Sequence, residues 1–187
     1  MAKNNLSITN AYDLLEHAKN QNIEIGAPVN LSEIAKLLGV SVFEDYELEG
    51  SDIIGQITFD GEQAVITINP FQNNYEPRRR FTLAHELGHF CLHATSQKTF
   101  TDSRKTMSRS GSYWDKYESE ANNFAAQLLM PKDLLVAEGK KLISIYKAEE
   151  SAQTMPAKIF IEQMSSLFEV SSKAMEYRLK NIGVIKY

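Results

Sequence analysis

The chain has 187 residues, 43% hydrophobic and 24% charged, with a formal net charge of −4. That suits one domain, or one domain with a small appendage, and supplies enough apolar side chain for a real core. Broad attraction to nucleic acid or anionic lipid is not expected at this charge. The single cysteine, Cys91, excludes an internal disulfide framework. No apolar run approaches the roughly 20 residues of a membrane span, and no leader segment is evident, so the expected compartment is the cytoplasm.

In chain order, Ala11, Leu14, Leu15 and Ala18 fall at helical spacing before the break at Gly26-Ala-Pro28. A second helix is predicted over Leu31 to Leu38, capped by Asn30 or Ser32 and ended by Gly39. Leu31 to Ser41 has the syntax of half a DNA-binding helix-turn-helix, but helix, glycine turn and strand is also ordinary packing syntax, and the packing reading is preferred. Val40 to Glu44 and Ile53 to Asn69 read as strands, with Asp60-Gly61 marking a hairpin. The hairpin's main role is to cover a core helix. It is also a candidate rail for a substrate bound as an added strand. Pro77 then fits the first turn of a helix. Arg78, Arg79 and Arg80 read as its solvated start, with one of them in an ion pair.

That helix carries Phe81-Thr-Leu-Ala-His85-Glu86-Leu-Gly-His89-Phe-Cys-Leu-His93. Residues four apart share a helical face, so His85 and His89 can address one metal ion. Glu86, about 100° further round, can reach a metal-bound water without being a ligand. Thr82, His85, Glu86, His89 and His93 share one polar sector of an otherwise apolar helix, as a buried metal site requires and a surface helix does not. Two core histidines bonded to carbonyls are the bland alternative. His93 lies about 80° from His85 and reads as a hydrogen-bonding partner rather than a ligand. Cys91 reads as core.

Catalytic zinc usually takes three protein ligands. The helix predicted over residues 115–130, stopped by Pro131, offers Glu118 and Glu120. Its apolar positions Ala121, Phe124, Ala125, Leu128 and Leu129 put Glu118 at the border of the buried face and Glu120 toward solvent, so Glu118 is preferred. Asn122, one turn on, is placed to hydrogen-bond a ligand or to be an ordinary rim residue. Residues 96–116 between the two helices are polar and read as a long loop, a candidate lid carrying Tyr113 or Trp114 toward substrate. Met130 is either a floor beneath the metal or a core methionine.

Beyond Pro131 a helix starts at Asp133, and Glu149 to Pro156 reads as a connection. The tail, Ile159 to Leu167 and then Lys173 to Leu179, again has helix-turn-helix syntax. Its basic residues are nearly cancelled by Glu162, Glu169 and Glu176, so packing or partner docking is preferred over DNA contact. The expected organisation is a catalytic domain over residues 1–150 and a C-terminal helical, helix-turn-helix-like segment over 151–187, in an α+β fold with a small antiparallel sheet packed on the metal helix.

Arg80 to His89 with His93, Glu118-x-Glu-Ala-Asn-x-Phe-Ala125, Leu128-Leu-Met-Pro131 and the strand Ile66-Thr-Ile-Asn69 together resemble the ImmA/IrrE family of metallopeptidases. The likeness covers residues 28–131 well and continues more softly to the C-terminus. It implies a zincin-like domain with Zn²⁺ held by His85, His89 and Glu118, in agreement with the helical geometry. It also implies a cytoplasmic endopeptidase of mobile elements or stress-response loci, whose protein substrate is a helix-turn-helix transcriptional repressor. Hydrolysis would use Glu86 as general base, with Tyr113 nominated as oxyanion donor. Manganese or iron in place of zinc stays open. The competing reading is a non-proteolytic regulatory protein with a structural or vestigial zinc site that sequesters a repressor or contacts DNA.

Overall fold

The computed structural model describes residues 8–60, 63–96, 98–103, 116–149 and 154–185. Helix α1 (Ala11–Asn20) starts where the Asn10 side chain accepts from the Asp13 amide and buries Ala11, Leu14, Leu15 and Ala18. Helix α2 (Leu31–Leu37) is capped in the same way by Asn30. Gly39, at φ +70°, takes the left-handed conformation that turns the chain from α2 into strand β1 (Val40–Glu44).

Strands β2 (Ile53–Asp60) and β3 (Gln63–Ile68) form the expected hairpin, whose turn residues 61–62 lie outside the described residues. Helix α3 (Glu76–His93) has Pro77 in its first turn. Strand β4 (Thr99–Ser103), helix α4 (Lys116–Leu129), helix α5 (Lys132–Glu149), helix α6 (Ala157–Leu167) and helix α7 (Ser172–Asn181) follow.

The result is an α+β arrangement around one four-stranded sheet of order β1-β3-β2-β4. Three expectations change. The sheet is mixed rather than antiparallel, because β1 runs parallel to β3, with Val40 opposite Ala64 and Glu44 opposite Ile68. Residues 96–116 are not one long loop: Thr99–Ser103 alternates buried and exposed positions and pairs antiparallel with β2. Consequently neither edge of the hairpin is free to accept a substrate strand, since β1 covers β3 and β4 covers β2.

One face of the sheet, with Val40, Ile57, Ala64, Ile66, Ile68 and Phe100, closes over α3 in a core shared with every helix. The C-terminal pair belongs to that core through Phe160, Met164, Phe168, Met175 and Leu179. Gly139 of α5 gives Phe160 room, a Cβ there standing 3.0 Å from its ring. Arg178 donates to the Met130 carbonyl, and Met130 itself is core. The arginine cluster is less solvated than expected. Arg79 pairs with Glu44 at 2.8 Å, while Arg80 is buried, donating to the Val29 carbonyl and facing Glu169 at 3.4 Å. No described helix is long and apolar enough to cross a membrane.

Candidate metal centre

The polar stripe of α3 faces inward. Thr82, His85, Glu86 and His89 are fully buried and His93 is nearly so. Polar side chains in such a position cost free energy unless each finds a partner, so the partners define the site. Helix α4 supplies one wall. It crosses α3 closely because Gly88 has no side chain: a Cβ there would stand 3.2 Å from the Ala121 Cα and 3.3 Å from the Phe124 Cβ. That approach brings Glu118 beside both histidines, 3.3 Å from His85 Nε2 through Oε2 and 3.3 Å from His89 Nε2 through Oε1.

The rings are oriented from behind. His85 Nδ1 lies 3.1 Å from Asn122 Oδ1, so Nδ1–H donates and Nε2 is turned toward the carboxylates. His93 Nε2 lies 3.0 Å from Glu120 Oε2, and His93 Nδ1 lies 3.0 Å from His89 Nδ1. With Glu120 accepting, His93 donates through Nε2 and accepts through Nδ1, so His89 donates through its Nδ1. Burial, with its penalty on the imidazolium, holds His93 below its ordinary pKa, in keeping with that neutral role. Glu120 thus has a use that solvent exposure alone did not suggest: it anchors the chain of imidazoles. Asn122 and His93 each hydrogen-bond one ring of the His85–His89 pair.

The two Nε2 atoms face each other across 3.0 Å. Nitrogens at that distance need positive charge between or beside them, a proton on one or a cation shared by both. The surrounding carboxylates make the same demand. Burial pulls His85 down, but Asp102 and then Glu118 overcome it and push its pKa up to about 9. Burial opposes the charge of Glu118, and contact with His85 and His89 more than reverses this, holding it well below the usual carboxylate range.

Asp102 is the residue that sequence reasoning missed. It comes from β4, is 1% exposed, and brings Oδ2 within 3.0 Å of His85 Nε2 and 3.9 Å of His89 Nε2. Its placement depends on β4 pairing with β2, where Asp102 stands opposite Gly55 beside a register irregularity between Ile53 and Gly55. The available signal was the alternation Thr99-Phe-Thr-Asp-Ser103, which puts Phe100 and Asp102 on one face. Phe100 stacks on the His89 ring at 4.3 Å and so fixes β4 against α3.

His85, His89, Asp102 and Glu118 each offer one ligand-type atom, all within 4.8 Å of one another. Tetrahedral donors about 2.0–2.1 Å from an ion stand about 3.3–3.4 Å apart, and the contacts among these atoms run from 3.0 to 3.9 Å. Neither Asp102 oxygen has a hydrogen-bond partner, nor does Glu118 Oε2. Buried acceptors left without donors are rare in folded proteins, and a cation satisfies all of them together. The donor set fits a metal ion.

Glu86 stands apart from this set. Both its carboxylate oxygens are buried with no N–H or hydroxyl donor, and burial, followed by the charge and close contact of Asp102, pushes its pKa well up. Its space is made by Gly55: a Cβ there would lie 2.7 Å from Glu86 Oε1 and 2.6 Å from the Thr82 methyl. The Thr82 hydroxyl donates to Asn73 Oδ1 at 2.7 Å, and Asn73 Nδ2 donates to the Ile54 carbonyl at 2.8 Å, locking α3 to β2 at this level. Tyr113 and Trp114 lie outside the described residues.

Comparison with known proteins agrees with this arrangement. The chain is 34% identical over 129 residues to "Uncharacterized immunity region protein 2" of Bacillus phage phi105, covering 69% of this chain and 75% of that protein. A model of the peptidase family M78, described as an IrrE N-terminal-like domain, matches residues 35–180. A buried His-Glu-x-x-His helix crossed by a glutamate-bearing helix thus sits inside a match spanning most of the chain, and the protein belongs to the M78 (IrrE/ImmA-like) peptidase family.

Proposed function

We propose that the protein is a zinc-dependent endopeptidase in which His85, His89 and Glu118 hold the ion and Glu86 is the catalytic base. The observation that carries this reading is Glu86, a fully buried carboxylate with no partner, beside two Nε2 atoms that face each other at 3.0 Å. A divalent ion bound there supplies Lewis acidity to the scissile carbonyl and to the attacking water. Glu86 takes the proton of that water and returns it to the leaving amine, work worth about 10²–10⁴ in rate. Asn122 holds His85 and the Glu120–His93 pair holds His89, so that neither ring turns away as charge develops.

The target we propose is a helix-turn-helix transcriptional repressor, cleaved in the cytoplasm. The phage relative is named for an immunity region, the setting in which such a repressor acts, and the family resemblance points the same way. The second reading, a regulatory binder with a structural metal, is favoured by one observation: four donors converge where three suffice for catalysis. Glu86 argues against it, since a closed structural site has no use for a third carboxylate buried alongside.

The test pairs metal content with cleavage. Mass spectrometry of protein purified without added metal should find about one zinc per chain, lost in Glu118→Ala and kept in Glu120→Ala and Glu86→Gln. Repressors encoded beside the gene, mixed with the protein, should be cut by the wild type and left intact by Glu86→Gln. A Glu86→Gln protein that still relieves repression would move the binding reading to the front.

A further inference from the structure

The proposed mechanism needs solvent at the metal, yet Asp102 is packed against both histidine nitrogens. Its Oδ2 is as near His85 Nε2 as the two histidine nitrogens are to each other, 3.0 Å in both cases. Together with His85, His89 and Glu118 it makes four donors, the number that closes a tetrahedral site, whereas catalytic sites keep one position open. Both Asp102 oxygens are buried, and the side chain's close contacts are the two histidine nitrogens, His85 Nε2 at 3.0 Å and His89 Nε2 at 3.9 Å. Glu86 is likewise sealed at 0% exposure.

We propose that Asp102 is a fourth donor that closes the metal site, and that the arrangement seen is a resting state which opens when Asp102 withdraws. The inference rests on the metal reading given above.

The carrier suits such a role. β4 lies at the edge of the sheet and is hydrogen-bonded to β2 alone among the described strands, so its displacement breaks one ladder and leaves the β1-β3-β2 core intact. The register irregularity at Ile53 and Gly55 lies opposite Asp102 and weakens the ladder there. Withdrawal of β4 would also free the edge of β2 from Gly55 to Thr58, beside Glu86, for the backbone of an extended peptide. One movement would then uncover the metal and the strand that receives substrate. Phe100, stacked on His89, supplies the restoring contact.

Cobalt(II) in place of the native ion and azide as a small anionic ligand give a readout independent of peptide cleavage. Wild-type protein loaded with cobalt should show a visible spectrum that azide leaves unchanged. In Asp102→Ala the spectrum should shift with azide, at a dissociation constant at least about tenfold below any seen in wild type. Asp102→Asn, which keeps the shape and loses the charge, should behave likewise and serves if the alanine variant does not fold by circular dichroism. Equal azide response in wild type and variants, or none in any of them, would overturn the closing role of Asp102 while leaving the metal site standing. Failure of the wild type to take up cobalt at all would remove the metal reading itself, and this inference with it.

Discussion

The two walls of the site are built by different rules. The α3–α4 wall is made of helical spacing and one close crossing: His85 and His89 align because they are four apart, and Glu118 reaches them because Gly88 lets Ala121 and Phe124 approach. The β2–β4 wall has no such local logic. Gly55 and Asp102 meet only through strand pairing between segments far apart in the chain, and Glu86 finds its space against Gly55. The first wall assembles ligands. The second decides how much room the reacting groups have. Damage to either should therefore be separable in measurement.

The largest effect is expected from Gly88→Leu. A side chain at that crossing meets backbone at 3.2 Å, so α4 must move away and take Glu118 with it. Zinc content should fall from about one per chain toward none, with about 1–3 kcal/mol lost from folding stability by chemical denaturation. Retained stoichiometric zinc would mean that the donors do not depend on the crossing.

Gly55→Ala should strike the other wall. Its methyl would sit 2.7 Å from Glu86 Oε1 and 2.6 Å from the Thr82 methyl, so the carboxylate must shift. Zinc content should hold while repressor cleavage slows by on the order of 10²-fold, the cost of about an ångström of misplacement. Loss of zinc in step with loss of rate would show that the two walls are not independent.

The smallest effect belongs to the groups behind the ligands. Asn122→Ala frees His85 Nδ1 and should weaken metal affinity by about tenfold, the low end for groups that orient a ligand. Competition with a colorimetric chelator would read it. An unchanged affinity would reduce Asn122 to a rim residue.

These differences track what could be read in advance. The α3 stripe was legible because helical periodicity is local, and five polar residues on one face of an apolar helix have few uses. Glu118 was separable from Glu120 by the same arithmetic, and the structure leaves them 13% and 41% exposed at the side chain. The cap at Asn30, the turn at Gly39 and the hairpin were legible for the same reason, each being a matter of a few adjacent residues.

What tertiary structure alone decided was everything that depends on which distant segments meet. Thr99-Phe-Thr-Asp-Ser103 is too short and too polar to announce a strand until β2 offers it an edge. The parallel placement of β1, the burial of Arg80 against Val29 and the role of Glu120 behind His93 arose in the same way. The sequence by itself determined the inward-facing polar stripe of α3 and its nearest partner, because spacing along a helix fixes direction. Only the fold brought Asp102 to the same point and set Gly55 beneath Glu86, because strand register is a property of the pair and not of either strand.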